Sequence, residues 1–449
     1  MTMTRIFGHY IHSEMAFLFG IDFILSFLVI AFLLGNSNPL VLGTNSSIVS
    51  SAAALAFTAC LISVAIGLYR PETCRGARLL LVNVTVAGTL ALPIMFAINA
   101  AFGVGIGDAA VSPLNWVGRT LVGWVICLLL TRALFALAMR MNIFVHQLLV
   151  VAGQGGDAEL LETGTRGFFR ISTVLSSEEF ARTPPEQLSG YGIWGIVVAS
   201  SAYAKIAPED LLRCQSRGIR LFRDVEFREQ QLGRVDLERL PPDWLVFAGG
   251  FSSGKFELAL RRFVDVLLGL ALLAFTLPLI ALTALLIKLD SPGPVFYRQE
   301  RVGLLGRPFL LLKLRSMFVN AESAGVVWAA ERDPRVTRVG RFIRLARIDE
   351  LPQLLNVLRG EMSIVGPRPE RPHFVAQLAK VIPHYCDRHF VKPGLTGWAQ
   401  VNYQYAASAE DARMKLSYDL YYVKHRTTFL DLSILLATVR VILFQQGSR

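Results

Sequence analysis

Two adjacent carboxylates, Asp349 and Glu350, are the residues in this sequence best placed to do chemistry. Pro352 is tolerated in a first helical turn and Gly360 is typical of a helix end, so we predict a short helix with Asp349 at its N-cap. Free backbone N–H groups and the helix dipole keep carboxylates ionised there. Capping alone would explain Asp349, but one carboxylate of such a pair can also attack phosphorus while the other binds Mg²⁺.

Arginine recurs at every third position just before these carboxylates. In a helix this spacing turns each successive arginine by about 60°, so the side chains wrap around the helix instead of forming one face. The planar guanidinium suits phosphate oxygens, which favours a diphosphate site or contact with anionic lipid. A solvated or lipid-facing helix is the alternative for any single member. The series consists of Arg332, Arg335, Arg338, Arg341, Arg344 and Arg347.

Three further segments carry basic or polar side chains that we expect near the two carboxylates. Arg368 lies between two prolines, which fix the backbone and display the guanidinium rigidly. Residues 296–317 read as a hairpin of two apolar runs around a glycine turn that ends in basic residues. Residues 391–402 form a glycine-rich loop with polar ends.

The charge of the chain is concentrated in the same region. The 449 residues are 53% hydrophobic and only 18% charged, which argues against a soluble enzyme. Residues 1–250 hold 18 basic and 18 acidic side chains, whereas residues 251–449 hold 27 and 16 and so carry the whole net charge of +11. This part therefore suits phosphates, nucleotides or acidic lipids. The five cysteines are scattered and indicate neither a zinc site nor a disulfide framework.

Four apolar stretches precede the soluble part of the chain. Each is long enough to cross about 30 Å of hydrocarbon, and basic residues flank the N-terminus, the second loop and the end of the fourth stretch. The positive-inside rule therefore places the N-terminus and everything after the fourth stretch in the cytoplasm. We treat Asp22 as nearly alone among the ionisable residues there, which argues against a transporter. The stretches are residues 15–34, 48–69, 79–102 and 114–139.

Residues 144–250 have the composition of a soluble α/β layer. Strand-like runs begin at His146, Ile193 and Ile219, and a helical run begins at Pro208. Glycines from Gly153 onward invite a dinucleotide-binding interpretation, but the full G-x-G-x-x-G spacing is absent. A regulatory or oligomerising domain is the preferred interpretation, with cofactor binding as the alternative.

A fifth apolar stretch, about 263–287, differs from the first four. Basic residues flank both ends, and Pro278 lies in the middle, where it removes a helical hydrogen bond. We predict a re-entrant helix that enters one leaflet and returns, with an ordinary span as the alternative. Asp265 is spaced to pair with Arg261 or Arg262 where the helix begins.

Residues 255–444 resemble the bacterial sugar transferase family, the polyprenyl-phosphate hexose-1-phosphate transferases. Several long motifs occur in the family's order, and the preceding spans and α/β segment resemble its large polytopic branch. The motifs are the basic, proline-broken membrane helix, Lys313-Leu-Arg-Ser-Met, Asp349-Glu-Leu-Pro-Gln, Gly366-Pro-Arg-Pro and Lys392-Pro-Gly-Leu-Thr-Gly-Trp-Ala-Gln-Val.

This resemblance implies transfer of a hexose-1-phosphate from a UDP-sugar to undecaprenyl phosphate, with release of UMP, to start an exopolysaccharide or O-antigen repeat unit. It implies that Asp349 is the nucleophile of a covalent phospho-sugar intermediate and that Glu350 helps to bind Mg²⁺. Many members continue with Gly-Arg after the residue equivalent to Asn402, whereas this chain has Tyr403 and Gln404, so the role of that arginine is either lost or taken elsewhere. The candidate substrate- and phosphate-binding residues are Lys313, Arg315, Arg301, Arg344, Arg368 and Gln400, the candidate metal ligands are Asp349 and Glu350, and the residues assigned to the re-entrant helix are Arg262, Asp265 and Pro278.

The predicted fold class is a membrane protein of three parts. Residues 1–143 form a four-helix transmembrane bundle, 144–250 a Rossmann-like α/β domain, and 251–449 an α+β catalytic domain with the re-entrant helix. We expect a multi-pass protein of the bacterial inner membrane with its catalytic domain on the cytoplasmic face. The expected partners are a UDP-sugar, undecaprenyl phosphate, membrane lipid and a second copy in a homodimer, but not nucleic acid. The alternative function is a non-catalytic membrane sensor or assembly scaffold that binds anionic lipid.

Overall fold

Two compact units make up the chain. The first unit contains Met1–Ile6 and Tyr10–Gln231, and the second contains Phe7–His9 and Leu232–Arg449. The second unit begins before residue 250 because Val235, Leu237 and Trp244 pack into its hydrophobic core. The structure, a computed structural model, describes residues 3–6, 9–37, 45–69, 73, 77–102, 113–153, 168–184, 188, 192–240, 244–245, 248, 250, 254–319, 321, 333–403 and 408–444.

Long apolar helices dominate the first unit, as predicted. Two short paired strands, β1 (Met3–Ile6) and β2 (His9–His12), precede them. In the described part of the chain five helices, one of them in the second unit, are long and apolar enough to cross a membrane, so the protein is membrane-embedded. The four helices of the first unit are α1 (Ser13–Ser37), α2 (Asn45–Ile66), α3 (Ala77–Phe102) and α4 (Pro113–Arg140).

An ion pair lies inside this helix bundle. Arg132 Nη2 of α4 is 2.9 Å from Asp22 Oδ2 of α1, and both side chains are fully buried. Tyr69 Oη donates to the same carboxylate oxygen at 2.8 Å, and the guanidinium lies 4.6 Å from the centre of the Tyr69 ring. Our treatment of Asp22 as nearly alone was wrong, because Arg132 lies in the fourth apolar stretch and compensates the charge of Asp22.

The α/β domain of the first unit has a four-stranded parallel sheet. Its strand order is β4-β3-β5-β6, as in one half of a doubly wound fold. Gly153 lies at the end of β3, and the remaining glycines of the predicted dinucleotide motif lie outside the described residues. The elements are β3 (His146–Ala152), β4 (Phe169–Ser176), α5 (Ser177–Arg182), β5 (Ile193–Val198), α6 (Ser200–Tyr203), α7 (Pro208–Ser216), β6 (Arg220–Arg223) and α8 (Asp224–Leu232).

The bundle and this sheet pack against each other within the first unit. Met15 of α1 and Phe135 of α4 share a buried cluster with Leu148 of β3 and Phe169 of β4. His146 Nε2 lies 3.2 Å from Glu14 Oε1 at the same junction. These contacts join the start of the sheet to the ends of the membrane helices.

The fifth long helix lies in the second unit, and small sheets and short helices follow it in the chain. The predicted hairpin is present as antiparallel β7 and β8 around a 3₁₀ turn. The elements are α9 (Lys255–Asp290), β7 (Phe296–Val302), β8 (Pro308–Leu314), α10 (Arg338–Leu345), a 3₁₀ helix (Ile348–Gln353), α11 (Leu354–Arg359), β9 (Ser363–Val365), α12 (Pro372–Val381), a second 3₁₀ helix (Tyr385–Phe390), β10 (Gly394–Thr396), α13 (Trp398–Asn402), α14 (Ala409–His425) and α15 (Thr428–Leu443).

Both halves of α9 contact the rest of the second unit. Near the start, Arg262 donates to the carbonyls of Val357 and Leu358 at 2.7 and 2.6 Å. At the far end, the Asp290 carboxylate accepts from the Val339 N–H at 3.1 Å. The helix continues through Pro278, and its opposite face is rich in exposed apolar side chains, among them Phe263, Leu267, Leu270, Phe275, Leu282 and Leu289.

The predicted pairing of Asp265 with Arg261 or Arg262 is wrong. Asp265 Oδ1 accepts hydrogen bonds from the Ser363 hydroxyl and the Ile364 N–H, both at 2.9 Å. Arg261 instead lies 2.7 Å from Glu257, and Arg262 reaches backbone carbonyls. One side-chain donor and one backbone donor of β9 therefore hold Asp265 Oδ1, which ties α9 to the sheet.

Candidate active site

A sharp backbone turn presents Asp349 and Glu350. Both lie in the 3₁₀ helix, and Arg347 just before it has φ of +55°, a left-handed conformation that long side chains seldom adopt. The predicted N-cap is wrong in detail, because Arg347 holds the cap position and Asp349 lies two residues further on. Gly360 ends α11 at φ +84°, as predicted.

Two cations hold the Glu350 carboxylate. Arg368 Nη2 donates to Glu350 Oε1 at 2.6 Å, and Lys313 Nζ donates to the same oxygen at 3.3 Å. Lys313 lies at the end of β8 and Arg368 in the loop after β9, so three elements meet at this oxygen. Burial alone would raise the pKa of Glu350, but Arg368 and Lys313 outweigh it and hold the pKa well below its ordinary value. Glu350 is therefore ionised at neutral pH.

Asp349 has a different environment although it is the next residue. Its side chain is buried, and no hydrogen bond from the described residues reaches its carboxylate. The nearest cation is Lys313, whose Nζ is 3.9 Å from Asp349 Oδ2. Burial raises the pKa of Asp349, Lys313 opposes this shift, and the charge of Glu350 reinforces it. The carboxylate oxygens of Asp349 thus keep their lone pairs for a ligand or an electrophile.

The loop that carries Arg368 is built by two motifs that are distant in sequence. Strands β9 and β10 pair in parallel, with Ser363 opposite Gly394. The Gly366 N–H donates to the Thr396 carbonyl at 2.8 Å, and the Gly394 N–H donates to the Pro367 carbonyl at 2.9 Å. A Cβ atom at Gly366 or Gly394 would collide with the backbone of the partner segment. Glycine at both positions therefore permits the close approach that sets the start of the Arg368 loop.

The arginine series is divided between structural and site-facing members. Arg335 forms an ion pair with Asp333, with 2.6 Å between Nη2 and Oδ2. Arg332 lies outside the described residues. Arg338 and Arg341 are exposed on α10. The half-buried members are Arg344, whose charge lowers the pKa of Asp349, and Arg347, whose charge lowers that of Glu350. Among the described members of the series, these two are the ones whose charges lower the pKa of a site carboxylate.

Three predicted substrate contacts lie away from the carboxylates. Arg315 is buried and donates to backbone carbonyls at the end of α9, which it ties to the hairpin. Arg301 Nη1 donates to the Pro369 carbonyl at 2.9 Å, and Gln400 Nε2 donates to the Leu395 carbonyl at 3.1 Å. The structure does not bring these three side chains to Asp349 or Glu350. Their role as phosphate ligands stays a prediction.

One cation near the site was missed from the sequence. Lys415 is partly buried on α14, one helical turn before Asp419, and no described residue forms a hydrogen bond or an ion pair with its ammonium. Burial and the neighbouring charge of Arg368 lower the pKa of Lys415. The only sequence signal was its spacing of four residues from Asp419, which resembles an ordinary helix ion pair.

The donor set at the two carboxylates suits Mg²⁺. The described residues contain no group of three or more His, Cys, Asp and Glu side chains that could hold a metal ion. Mg²⁺, however, is commonly held by one or two carboxylates together with substrate phosphates and water. Asp349 and Glu350 fit that requirement because the Asp349 oxygens have no hydrogen bond from a described residue.

Comparison with known proteins gives a consistent family. The model of the bacterial sugar transferase family matches residues 256–445. The UDP-N-acetylgalactosamine-undecaprenyl-phosphate N-acetylgalactosaminephosphotransferase of Aeromonas hydrophila is 44% identical over 239 residues, which cover 53% of this chain and 56% of that protein. The chain thus spans about half the length of this relative.

Two glucose-1-phosphate transferases that use UDP-glucose and undecaprenyl phosphate are also similar. The protein of Caulobacter vibrioides is 46% identical over 185 residues, or 41% of this chain and 69% of that protein. The protein of Xanthomonas campestris is 42% identical over 198 residues, or 43% of this chain and 41% of that protein. The matched segment contains all the residues that meet at Glu350. The chain therefore belongs to the bacterial sugar transferase family.

Proposed function

We propose that this protein is a phosphoglycosyl transferase that moves a hexose-1-phosphate from a UDP-sugar to undecaprenyl phosphate and releases UMP. The relatives named above support the reaction class. One observation carries the proposal, which is the contrast between the two carboxylates. Asp349 is buried and receives no hydrogen bond from a described residue, whereas Arg368 and Lys313 both hold Glu350. The product would begin an exopolysaccharide or O-antigen repeat unit.

In the first half-reaction Asp349 is the nucleophile. An Oδ lone pair attacks the sugar-bearing phosphorus of the UDP-sugar, a new P–O bond forms, and the bond from that phosphorus to the bridging oxygen breaks. UMP leaves with the bridging oxygen and its electron pair. Lys313 and Arg368 lie beside the carboxylates, where positive charge stabilises the phosphate oxygens during transfer.

In the second half-reaction undecaprenyl phosphate takes the sugar phosphate from the enzyme. A phosphate oxygen of the lipid attacks the same phosphorus, the bond from Asp349 to phosphorus breaks, and the carboxylate is regenerated. The lipid-linked sugar diphosphate is released. No proton is needed on Asp349 at either stage, so the group must be ionised to start each cycle.

We propose Asp349 and Glu350 as the residues that hold Mg²⁺. Bound there with the sugar nucleotide, Mg²⁺ would neutralise charge on the diphosphate. Glu350 is suited to this role because Arg368 and Lys313 keep it ionised and fixed. The prediction follows that chelation of divalent cations stops UMP release.

We propose that the catalytic unit lies on the cytoplasmic face of the bacterial inner membrane and that α9 is re-entrant. Contacts near both ends of α9 support this, since one unit cannot hold both ends from opposite sides of a bilayer. Cysteines placed at Lys255 and Lys288 should both resist a membrane-impermeant label added from outside. Labelling of the Lys288 position would instead indicate a span.

The remaining proposals concern assembly. We propose a homodimer and a regulatory or oligomerising role for the α/β domain of the first unit. Mass measurement of the full chain in nanodiscs tests the first, and comparison with a chain that lacks residues 144–231 tests the second. A full chain of monomer mass would contradict the homodimer.

The decisive experiment measures UMP release by the full chain with undecaprenyl phosphate, Mg²⁺ and a panel of UDP-sugars that includes UDP-glucose and UDP-N-acetylgalactosamine. At least one donor should release UMP, and without the lipid a hexose-phosphate adduct should appear on the peptide that contains Asp349. The Asp349→Asn variant is the matched control and should show neither signal. A well-folded chain that released no UMP from any donor would contradict the proposal.

A further inference from the structure

Hydrogen-bond donors hold the far side of the Arg368 loop, away from Glu350. The carbonyls of residues 368–370 are three consecutive acceptors, and each receives a donor from another part of the second unit. Such a run fixes the path of a loop that belongs to neither a helix nor a sheet. In chain order the donors are Arg388 Nη2 at 2.8 Å, Arg301 Nη1 at 2.9 Å and the Val302 backbone N–H at 2.9 Å.

Arg388 is itself immobilised. It lies in the second 3₁₀ helix, and its Nη2 is 2.8 Å from Asp419 Oδ2 of α14. Its Nη1 donates to the Tyr385 hydroxyl at 3.0 Å. The side chains of Arg388 and Asp419 are 6% and 2% exposed, so this guanidinium is enclosed and unsuited to bind substrate directly.

The two prolines leave the ψ angle of Arg368 free to vary, and Arg388 fixes this angle. Pro367 and Pro369 fix their own φ angles, and a residue before proline is confined to the extended region. Within that region the direction of the Arg368 carbonyl still varies with the ψ angle of Arg368. The charged donor Arg388 fixes the direction of this carbonyl. It thereby also fixes the position from which the Arg368 side chain reaches Glu350.

We propose that Arg388, locked by Asp419, is a positioning residue that orients the backbone of Arg368 and so aims its guanidinium at Glu350 and the substrate diphosphate. The assignment rests on the proposed function. Arg388 acts through Arg368 and does not touch the reacting atoms. A purely structural ion pair would stabilise the unit without any special dependence on Arg368.

A double-mutant cycle separates these two roles. Arg388→Lys keeps a positive charge for Asp419 but cannot present the same fork to the Arg368 carbonyl. It should lower kcat/KM for the UDP-sugar by about 10- to 100-fold, the range expected from a small misplacement of a catalytic group. In an Arg368→Lys background the same change should cost less than about 3-fold, because the group that Arg388 positions is already replaced. Equal fold losses in both backgrounds would overturn the proposal.

Tyr385→Phe is the matched control. It removes another contact of Arg388 but leaves the donor to the Arg368 carbonyl, so kcat/KM should stay within about 3-fold of the unmutated value. If Arg388→Lys does not fold, Arg388→Met combined with Asp419→Leu removes both buried charges together, a change that cores often tolerate. That double variant should show the same dependence on the Arg368 background.

Hydrogen exchange gives a readout that needs no activity. The peptide covering residues 366–371 should exchange faster in Arg388→Lys than in the unmutated chain, and Tyr385→Phe should leave it unchanged. Unaltered exchange of this peptide in Arg388→Lys would also overturn the proposal. Absence of UMP release by the unmutated chain would instead contradict the proposed function, while exchange would still decide the role of Arg388.

Discussion

Two buried aspartates, one in each unit, have opposite surroundings. Asp22 in the membrane bundle has Arg132 at 2.9 Å and the Tyr69 hydroxyl at 2.8 Å on one carboxylate oxygen. Asp349 in the catalytic unit has only Lys313 within ion-pair distance, at 3.9 Å, among the described residues. The charge of Asp22 is thus compensated at close range by a cation and a hydroxyl on one carboxylate oxygen, whereas the carboxylate of Asp349 has no close partner in the described part of the chain and is available to react.

The neighbours of Asp349 explain how this lack of partners is tolerated. Glu350 takes the close contacts of Arg368 and Lys313, so the cations stay near Asp349 without bonding closely to it. In the described part of the bundle, Asp22 is the carboxylate that forms an ion pair with Arg132. In the second unit the close contacts of the two cations therefore go to one of two adjacent carboxylates, whereas in the bundle a single carboxylate takes the contacts of Arg132 and Tyr69.

The largest expected effect comes from Asp349→Asn. Under the proposed function this change removes the nucleophile and should reduce UMP release by about 10⁴-fold or more, as for other covalent catalysts. The thermal midpoint should stay the same or rise, because the amide is isosteric and removes a charge that burial disfavours. Turnover and thermal unfolding in nanodiscs measure the two outcomes. A clear fall in the midpoint would mean that Asp349 is structural, as Asp22 is.

Arg132→Met should give the reverse pattern. Asp22 would be left as a buried, uncompensated charge, which costs about 3–5 kcal/mol when one partner of a buried pair is removed. UMP release per folded molecule should be unchanged. Combining Arg132→Met with Asp22→Leu should recover most of the stability. If the single variant unfolds at the same temperature as the unmutated chain, the ion pair is not structural.

Much of this contrast could be predicted from the sequence, but not all of it. The hairpin, the membrane helices and the Asp349–Glu350 pair follow from local patterns, since hydropathy, turns and helix ends are properties of neighbouring residues. The partners of Asp22, Asp265 and Arg388 are distant in sequence, with Arg132 lying 110 positions after Asp22. Composition shows which charges exist, but the tertiary fold decides which of them meet.

The pH dependence should sharpen the difference between Asp349 and Glu350. The proposed attack requires ionised Asp349, and burial raises the pKa of this residue. Activity should therefore fall as pH drops through a value above the ordinary aspartate pKa of about 3.9. Lys313→Met removes an opposing charge and should move this acid limb to higher pH. The limb is read from kcat/KM for the UDP-sugar against pH, which reports the unliganded enzyme. A limb at or below the ordinary pKa would contradict the raised value.

Stability should respond to the same two groups with opposite signs. The folded state binds a proton on Asp349 more tightly than the unfolded chain does, so this residue lowers stability as pH rises through its window. Glu350 has a lowered pKa, so it adds stability above the ordinary glutamate pKa and loses it as pH falls. Asp349→Asn should therefore remove only the first of these two dependences. Thermal midpoints followed across acidic pH test this directly.

The smallest expected effect concerns the backbone before the carboxylates. Arg347 adopts φ of +55°, whereas Asp22 lies within the regular helix α1. Arg347→Gly and Arg347→Ala both remove the guanidinium, but only glycine adopts this conformation without strain, so the glycine variant should be more stable by about 1 kcal/mol. Thermal midpoints should then differ by about 2–4 °C for a unit of this size. Equal midpoints of the two variants would mean that the backbone leaves the left-handed conformation once the side chain is shortened. The strained turn would then depend on the Arg347 side chain and its charge beside Glu350.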